Sequence, residues 1–534
     1  MPSAFSRKGS KKGGVVAAGH PATAEAGAHI LKDGGNAIDA AIASVCTSFM
    51  AEPVLTGAGG GGFMLLHHGK TNLLYDGFSR MPIRPIDSLF TPDFKAVPID
   101  FGDTVQTFHV GQASVATPSL LAMLFQAHKE HGRMPIDAVL APAIDAARGG
   151  IRLNELQASF ITLLKPILTA EDACRKLHAR DDTLLTEGEL FTNPDLANTL
   201  EMLCHEGIRE MYEGDLARAI VNAVQPGGLL SMQDMAADQV YLRKPLAHTL
   251  FGGTLYTNPP PSSGGTLITF AAKLLQLLIG LYPTHPHALL IAESLRETSR
   301  ARGTDFDDQV HQTNMDSAFL AESRISTSLQ HVRNRLDGNA TDSNSEIENR
   351  HGSTTHISVV DGDGMAASLT TSNGEGSGIV VPGTGIHLNN MLGEEDINPM
   401  GFHRLPSGET LSSMMAPSIL VKEGRPILTL GSGGSNRLRG AILQVLSRHI
   451  ICDQPIEQAV YAPRLHNEGN LLDAEPDALS DEARHRLLEL GWKIRDWEKQ
   501  GVYFGGVHAI CMDEKGHLHG AGDPRRGGSV AWSE

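Results

Sequence analysis

From His20 to Met50 the chain is alanine-rich and helical in character, with Pro21 at a first helical position and a break at Gly34-Gly35. The glycine run Gly57 to Gly62, interrupted by Ala58, leads into Phe63-Met64-Leu65-Leu66 and Thr71 to Tyr75, two apolar stretches that predict a hairpin. From about 115 to 235 amphipathic helical pieces dominate, among them Leu120 to His131, Ile136 to Arg148 and Asp195 to Cys204. Strand-like text at His248 to Tyr256 is followed by the extended turn Asn258 to Gly265 and a helix near Leu267 to Leu281. Arg333 to Gly352, rich in Asn, Asp, Ser and Glu, has little to bury and predicts a linker. Directly after it, Thr354 to Val360, a turn at Asp361 to Gly364, and Met365 to Thr371 predict a second hairpin. Strands are expected at Gly378 to Val381, Ser418 to Val421 and Pro426 to Leu430, and helices at Arg437 to Arg448 and Asp481 to Leu490. Helical blocks alternate with mainly antiparallel strands, which predicts a layered α+β fold with strands inside.

Composition narrows the function. The chain has 534 residues, 41% hydrophobic and 20% charged, which is ordinary globular usage and argues against disordered, collagenous or coiled-coil classes. Forty-four basic residues against 61 acidic ones give a net charge of -17 with no basic stripe, so nucleic acid is not an expected partner. Five scattered cysteines without Cys-x-x-Cys spacing are expected to be reduced and buried. Lys8, Lys11 and Lys12 precede Gly13 to Ala18 without a signal-peptide core, and no run of eighteen uninterrupted apolar residues occurs. The expectation is a cytoplasmic protein with no membrane span, in which the sequon Asn339-Ala340-Thr341 is accidental. The 24 histidines show no His-Glu-x-x-His or similar spacing, so no metal and no organic cofactor is expected.

Several groups can carry chemistry, each beside a plainer reading. Gly57 to Gly62 lacks the Gly-Lys-Ser/Thr ending of a phosphate loop. Gly431-Ser432-Gly433-Gly434, expected between a strand and a helix, is placed to converge backbone N–H groups on an anion, or is a tight turn. Thr354 opens a strand after a flexible stretch; cleavage before it would yield a residue that is its own nucleophile and base, while uncut it is an ordinary β-branched strand residue. Ser372 and Thr371 end the partner strand as hydroxyl partners or as strand surface. Ser412-Ser413 are hydroxyls or turn residues, Arg80 forks a carboxylate or is solvated, and Glu394-Glu395-Asp396 hold an ammonium or form a plain acidic loop.

Taken in order, Lys32 to Ala41, Gly59 to Phe63, Pro259 to Gly265, Thr354 to Asp361, Val381 to Asn390, Leu411 to Met414, Gly431 to Ser435 and Asp523 to Arg526 resemble the γ-glutamyltransferase (γ-glutamyltranspeptidase) family of N-terminal nucleophile hydrolases, from about Gly14 to Trp532. The resemblance implies a four-layer αββα sandwich built from two subunits cut from one chain between Ser353 and Thr354. Residues 1–353 would form the large subunit, with 1–12 a loose tail and about 333–353 flexible, and 354–534 the small catalytic subunit. It assigns Thr354 as nucleophile, Gly433 and Gly434 as oxyanion donors, and Arg80, Ser412 and Ser413 to the α-carboxylate of a γ-glutamyl donor. The hydroxyl beside the nucleophile falls on Ser372, or on Thr371 with a one-residue gap. Asn373 matches a substrate-contacting asparagine, and Glu394, or Glu395 if the loop shifts, holds the substrate amine, because Met391 stands where the family carries Gln or Glu and cannot accept that hydrogen bond. The interval from Asn390 to Ser412 is short, which implies a reduced lid. The implied activity is that of a γ-glutamyltransferase or glutathione hydrolase, passing the acyl group of a glutathione-like donor to water or an amino acid. The alternatives are an amidase or acylase for poly-γ-glutamate or β-lactam side chains, and a non-maturing binding protein of the same fold.

Overall fold

The computed structural model describes residues 13–83, 90–101, 105–237, 239–303, 305–338 and 353–533. The basic tail, the sequon at Asn339 and residues 339–352 of the linker-like stretch lie outside the described residues.

Local chemistry fixes the first helices. His20 caps Pro21–Lys32 by accepting from the Ala22 N–H, and Asn36 and Asp39 form a reciprocal capping box on Ala37–Ala51. Both helices lie on a seven-stranded sheet with the order Tyr241–Arg243, Thr71–Gly77, Gly61–His68, Ala366–Ser372, Thr355–Val360, Val15–Ala18, Ser529–Trp532. A six-stranded sheet, in the order Leu246–Leu250, Gly253–Thr257, Ser418–Lys422, Arg425–Gly433, Gly506–Met512, Leu518–Ala521, stacks against its other face. All pairings in both sheets are antiparallel. Val15, Phe63, Leu65, Ile419 and Ile510 pack between the sheets, and Gly264–Leu281, His287–Arg302 and Arg437–Ile450 cover the outer face of the second. The result is the αββα layering that the resemblance implies, with the central strands buried on both faces.

Thr355–Val360 shows how that burial is managed. Ile357 and Val359 face the helices, while His356 and Ser358 face the second sheet. His356 stands between the hydroxyls of Thr370 (2.8 Å) and Ser358 (2.9 Å), and Ser358 donates across the sandwich to the His508 carbonyl (3.0 Å). A polar row therefore runs through the middle of the sandwich with its hydrogen bonds satisfied.

The structure corrects the sequence reading in several places. Gly431 to Gly433 are the last residues of strand Arg425–Gly433, not a loop. Positions 431 and 433 are glycine because a Cβ at 431 would sit 2.4 Å from the His356 ring and one at 433 would sit 2.1 Å from the Thr354 carbonyl oxygen. Gly378 to Val381 is not a strand: Gly374, Gly376 and Gly378 all have positive φ, and only the single bridge Val380–His387 forms. His248 to Tyr256 is two strands, turned at Phe251-Gly252. Helix Glu322–Leu336 runs into the expected linker, with Val332, Arg335 and Leu336 buried. Gly264–Leu281 is long and apolar enough to cross a membrane by length and composition, but two-thirds of it is buried as a core helix. Of the cysteines, Cys452 is exposed and Cys204 half-buried.

Candidate active site

The site is built on the two central strands of the first sheet. Thr355 pairs with Thr371 and His356 with Thr370, so Thr354 stands opposite Ser372 at the strand end. Strand alternation sends Thr354 and His356 toward the second sheet and Thr355 toward the helices. The same period sends the two hydroxyls to opposite faces. Thr371 turns away to the Gly61 carbonyl and the Thr56 hydroxyl (both 3.1 Å), whereas Ser372 Oγ donates to the carbonyl oxygen of Ser353 at 2.5 Å.

That carbonyl belongs to the bond preceding Thr354. Thr354 Oγ1 lies 2.8 Å from the same oxygen, so two hydroxyls converge on it. Ser372 is itself held by the Gly374 N–H (3.0 Å), and Arg526 Nη1 donates to the Thr354 carbonyl (3.1 Å). The Ser353 hydroxyl donates to Glu375 Oε2 (2.7 Å).

Three acids crowd this point. Burial pushes the Glu375 carboxyl up to about 7, opposed by hydrogen bonds from Ser353 and by the charge of Arg526. Glu394 is pushed well above the carboxylate range by burial and by Asp396 and Glu375. Asp396 accepts from the Ser435 hydroxyl. Burial brings Arg526 down to about 10. On the other face of the strand, Glu52 accepts from Thr355 Oγ1 (2.5 Å) and Thr23 Oγ1 (3.2 Å), and its burial raises it to about 7.

A cavity of about 30 Å³ is lined by Thr354, Ser372, Ser413, Met391, Glu394 and Asp396 among others. It has room for water but is far below the roughly 300 Å³ of a small-molecule pocket. Ser353 also lines a second cavity, about 410 Å³, bordered by Glu375, Arg437, Trp497, Tyr503 and Arg526. The structure thus brings Ser353, Thr354, Ser372, Ser413 and Glu394 together, with Gly433 against the Thr354 carbonyl and Gly434 following at φ +117°.

Other expected residues lie outside that cavity. Arg80 is buried with Nη1 on the Tyr241 hydroxyl (3.0 Å), and its Nη2 has no partner among the described residues. Ser412 is buried beside Ser413. Asn373 packs on Gly57 and Gly60 and donates to the His387 carbonyl (3.3 Å). Glu395 is exposed, so the buried carboxylate at the cavity is Glu394. Sequence reasoning gave Glu52, Glu375 and Arg526 no role. An acid ending the apolar run Phe49-Met50-Ala51 was the available signal for Glu52. Among the described residues no group of three or more His, Cys, Asp or Glu is arranged to hold a metal ion.

Comparison with known proteins shows the family and the fold. The family model described as gamma-glutamyltranspeptidase matches residues 23–533. A glutathione hydrolase proenzyme of Pseudomonas aeruginosa is 30% identical over 96% of this chain and 93% of its own. One of Bacillus subtilis is 28% identical over 97% and 91%. The crystal structure of cephalosporin acylase from Bacillus halodurans superposes with a TM-score of 0.82 at 24% identity, covering 99% of this chain and 97% of that one, a likeness of fold.

Proposed function

The chain belongs to the γ-glutamyltranspeptidase family, and from that premise we propose that it cuts itself before Thr354 and then transfers γ-glutamyl groups through that residue. The observation that carries the proposal is the convergence of Thr354 Oγ1 and Ser372 Oγ on the Ser353 carbonyl oxygen, at 2.8 and 2.5 Å. Thr354 Oγ attacks the Ser353 carbonyl carbon, the C–N bond to Thr354 breaks, and the proton lost by the hydroxyl is made good on the departing nitrogen. Water then opens the ester, leaving Ser353 with a carboxylate and Thr354 with a free α-amine and hydroxyl.

The two pieces, 1–353 and 354–534, stay together as a heterodimer. Strand Val15–Ala18 of the first is hydrogen-bonded on both sides to strands of the second, Thr355–Val360 and Ser529–Trp532. In turnover the α-amine of Thr354 is the base and its hydroxyl the nucleophile, so no metal or organic cofactor enters the scheme. The γ-glutamyl carbonyl develops its negative charge toward the N–H groups of Gly433 and Gly434. Glu394 receives the donor's α-ammonium. Arg80, Ser412 and Ser413 receive its α-carboxylate, Asn373 supports the loop beside it, and Ser372 steadies the nucleophile. The acyl group of a glutathione-like donor passes from the threonine ester to water or to an amino acid.

A second reading, an acylase for poly-γ-glutamate or β-lactam side chains, is favoured by Met391, which lines the cavity and offers an ammonium only a weakly accepting thioether. Release of p-nitroaniline from γ-glutamyl-p-nitroanilide by the cut protein is the expected result. Inertness toward it, with turnover of a cephalosporin or of poly-γ-glutamate, establishes the second reading instead.

A further inference from the structure

We propose that Glu375 is a positioning residue for the self-cleavage, gripping Ser353 so that the scissile carbonyl is held against Ser372 and Thr354. The proposal rests on cleavage between Ser353 and Thr354.

Ser353 is held at two points by one short turn. Ser372 Oγ takes its carbonyl at 2.5 Å, and three residues later Glu375 Oε2 takes its hydroxyl at 2.7 Å. The Ser353 backbone also favours the charged form of Glu375. The turn presenting these groups has little freedom. Gly374 (φ +61°) and Gly376 (φ +82°) flank Glu375. The N–H groups of Glu375 and Gly376 both donate to Asn390 Oδ1, at 2.8 and 3.1 Å, and Glu375 N also lies 3.1 Å from Glu394 Oε1. A Cβ at Gly374 would sit 2.1 Å from Asn390 Oδ1, so the backbone cannot relax around a side chain there.

Glu375 is 2% exposed. A carboxylate that deeply buried needs donors or a counter-charge. Arg526 supplies part of the compensation across the neighbouring cavity, Asp396 and Glu394 oppose it, and Ser353 supplies the hydrogen bonds. The Ser353 hydroxyl takes no part in making or breaking a bond. A dependence of cleavage on that hydroxyl, and on the acceptor facing it, therefore reports orientation alone. In the step it serves, the Thr354 Oγ–C353 bond forms, the C353–N354 bond breaks, and one proton moves from oxygen to nitrogen.

The test follows the loss of the 57.1 kDa chain after cell-free synthesis, for wild type, Ser353→Ala, Glu375→Ala, Glu375→Gln and the double alanine variant, with thermal unfolding of each as a folding control. Each alanine is expected to slow cleavage by about tenfold or more, the double variant to be no slower than the slower single, and Glu375→Gln, whose amide oxygen accepts the same hydrogen bond, to stay within about threefold of wild type. Multiplicative slowing in the double variant, wild-type cleavage in either alanine variant, or a Gln variant as slow as Ala overturns the proposal. Ser353→Ala removes a single hydroxyl and keeps the test decisive should Glu375→Ala fail to fold. A wild-type chain that is never cut at this bond overturns the cleavage reading itself, which separates the two failures.

Discussion

Replacing Ser372 by alanine tests the division of labour at the scissile carbonyl. Two hydroxyls reach that oxygen in the intact chain, but Thr354 gives up its proton as it attacks, so among the described residues Ser372 is the donor that remains when charge develops there. Ser372 is 6% exposed. Loss of one preorganised donor to a developing oxyanion costs about 10²–10³ in rate, or about 2.7–4 kcal/mol. Self-cleavage of Ser372→Ala is therefore expected to slow by about a hundredfold, read by densitometry of the precursor band with the masses of the fragments as a check. Ser372→Thr keeps the hydroxyl and restores most of the rate. Thr371→Ala, whose hydroxyl points at Gly61 and Thr56, cleaves near the wild-type rate while losing some stability, because Thr56 is left without its buried partner. Wild-type cleavage by Ser372→Ala, or strong slowing by Thr371→Ala with Ser372→Ala unaffected, would refute the assignment.

Two further predictions concern buried acids. Glu394→Gln should raise KM for a γ-glutamyl donor by about tenfold or more through loss of a charge-assisted hydrogen bond, and exposed Glu395→Gln should leave KM near wild type; the reverse pattern places the amine on Glu395. Glu52 carries a pH dependence. Its carboxyl titrates near 7 when folded against an ordinary 4.5. The folded state therefore binds more protons between those values, and stability falls as pH rises through that window, by up to about 3 kcal/mol once pH exceeds 7. Glu52→Gln, compared in a Thr354→Ala background, should gain in melting temperature on its parent between pH 5 and pH 8; a gap that does not change with pH sinks the claim.

Much of the architecture was legible because the chain's long-range packing leaves local traces. The buried strand Gly61–His68 appears as the apolar run Phe63-Met64-Leu65-Leu66, and the first helix is marked by Pro21 at its start and Gly34-Gly35 after its end. Thr354 was legible as the residue that opens strand-like text after a polar stretch, and through the order of the surrounding motifs. What stayed hidden depends on partners far along the chain. Gly431 and Gly433 punctuate like a loop, yet they are strand residues whose missing side chains make room for His356 and Thr354 on the facing sheet. Ser372 and Thr371 were inseparable because a one-residue step flips the face a strand residue presents. Glu375 and Glu52 meet their hydroxyl partners 22 and 303 residues away, a pairing that no window of sequence contains.

One covalent event, cleavage between Ser353 and Thr354, underlies the proposed activity. Intact mass and N-terminal sequencing of the purified protein beside Thr354→Ala test it directly. Two fragments from the wild type, the smaller beginning Thr-Thr-His-Ile, with Thr354→Ala remaining a single chain, are the predicted result. A wild-type chain that stays whole, or a Thr354→Ala variant cut at the same bond, contradicts it.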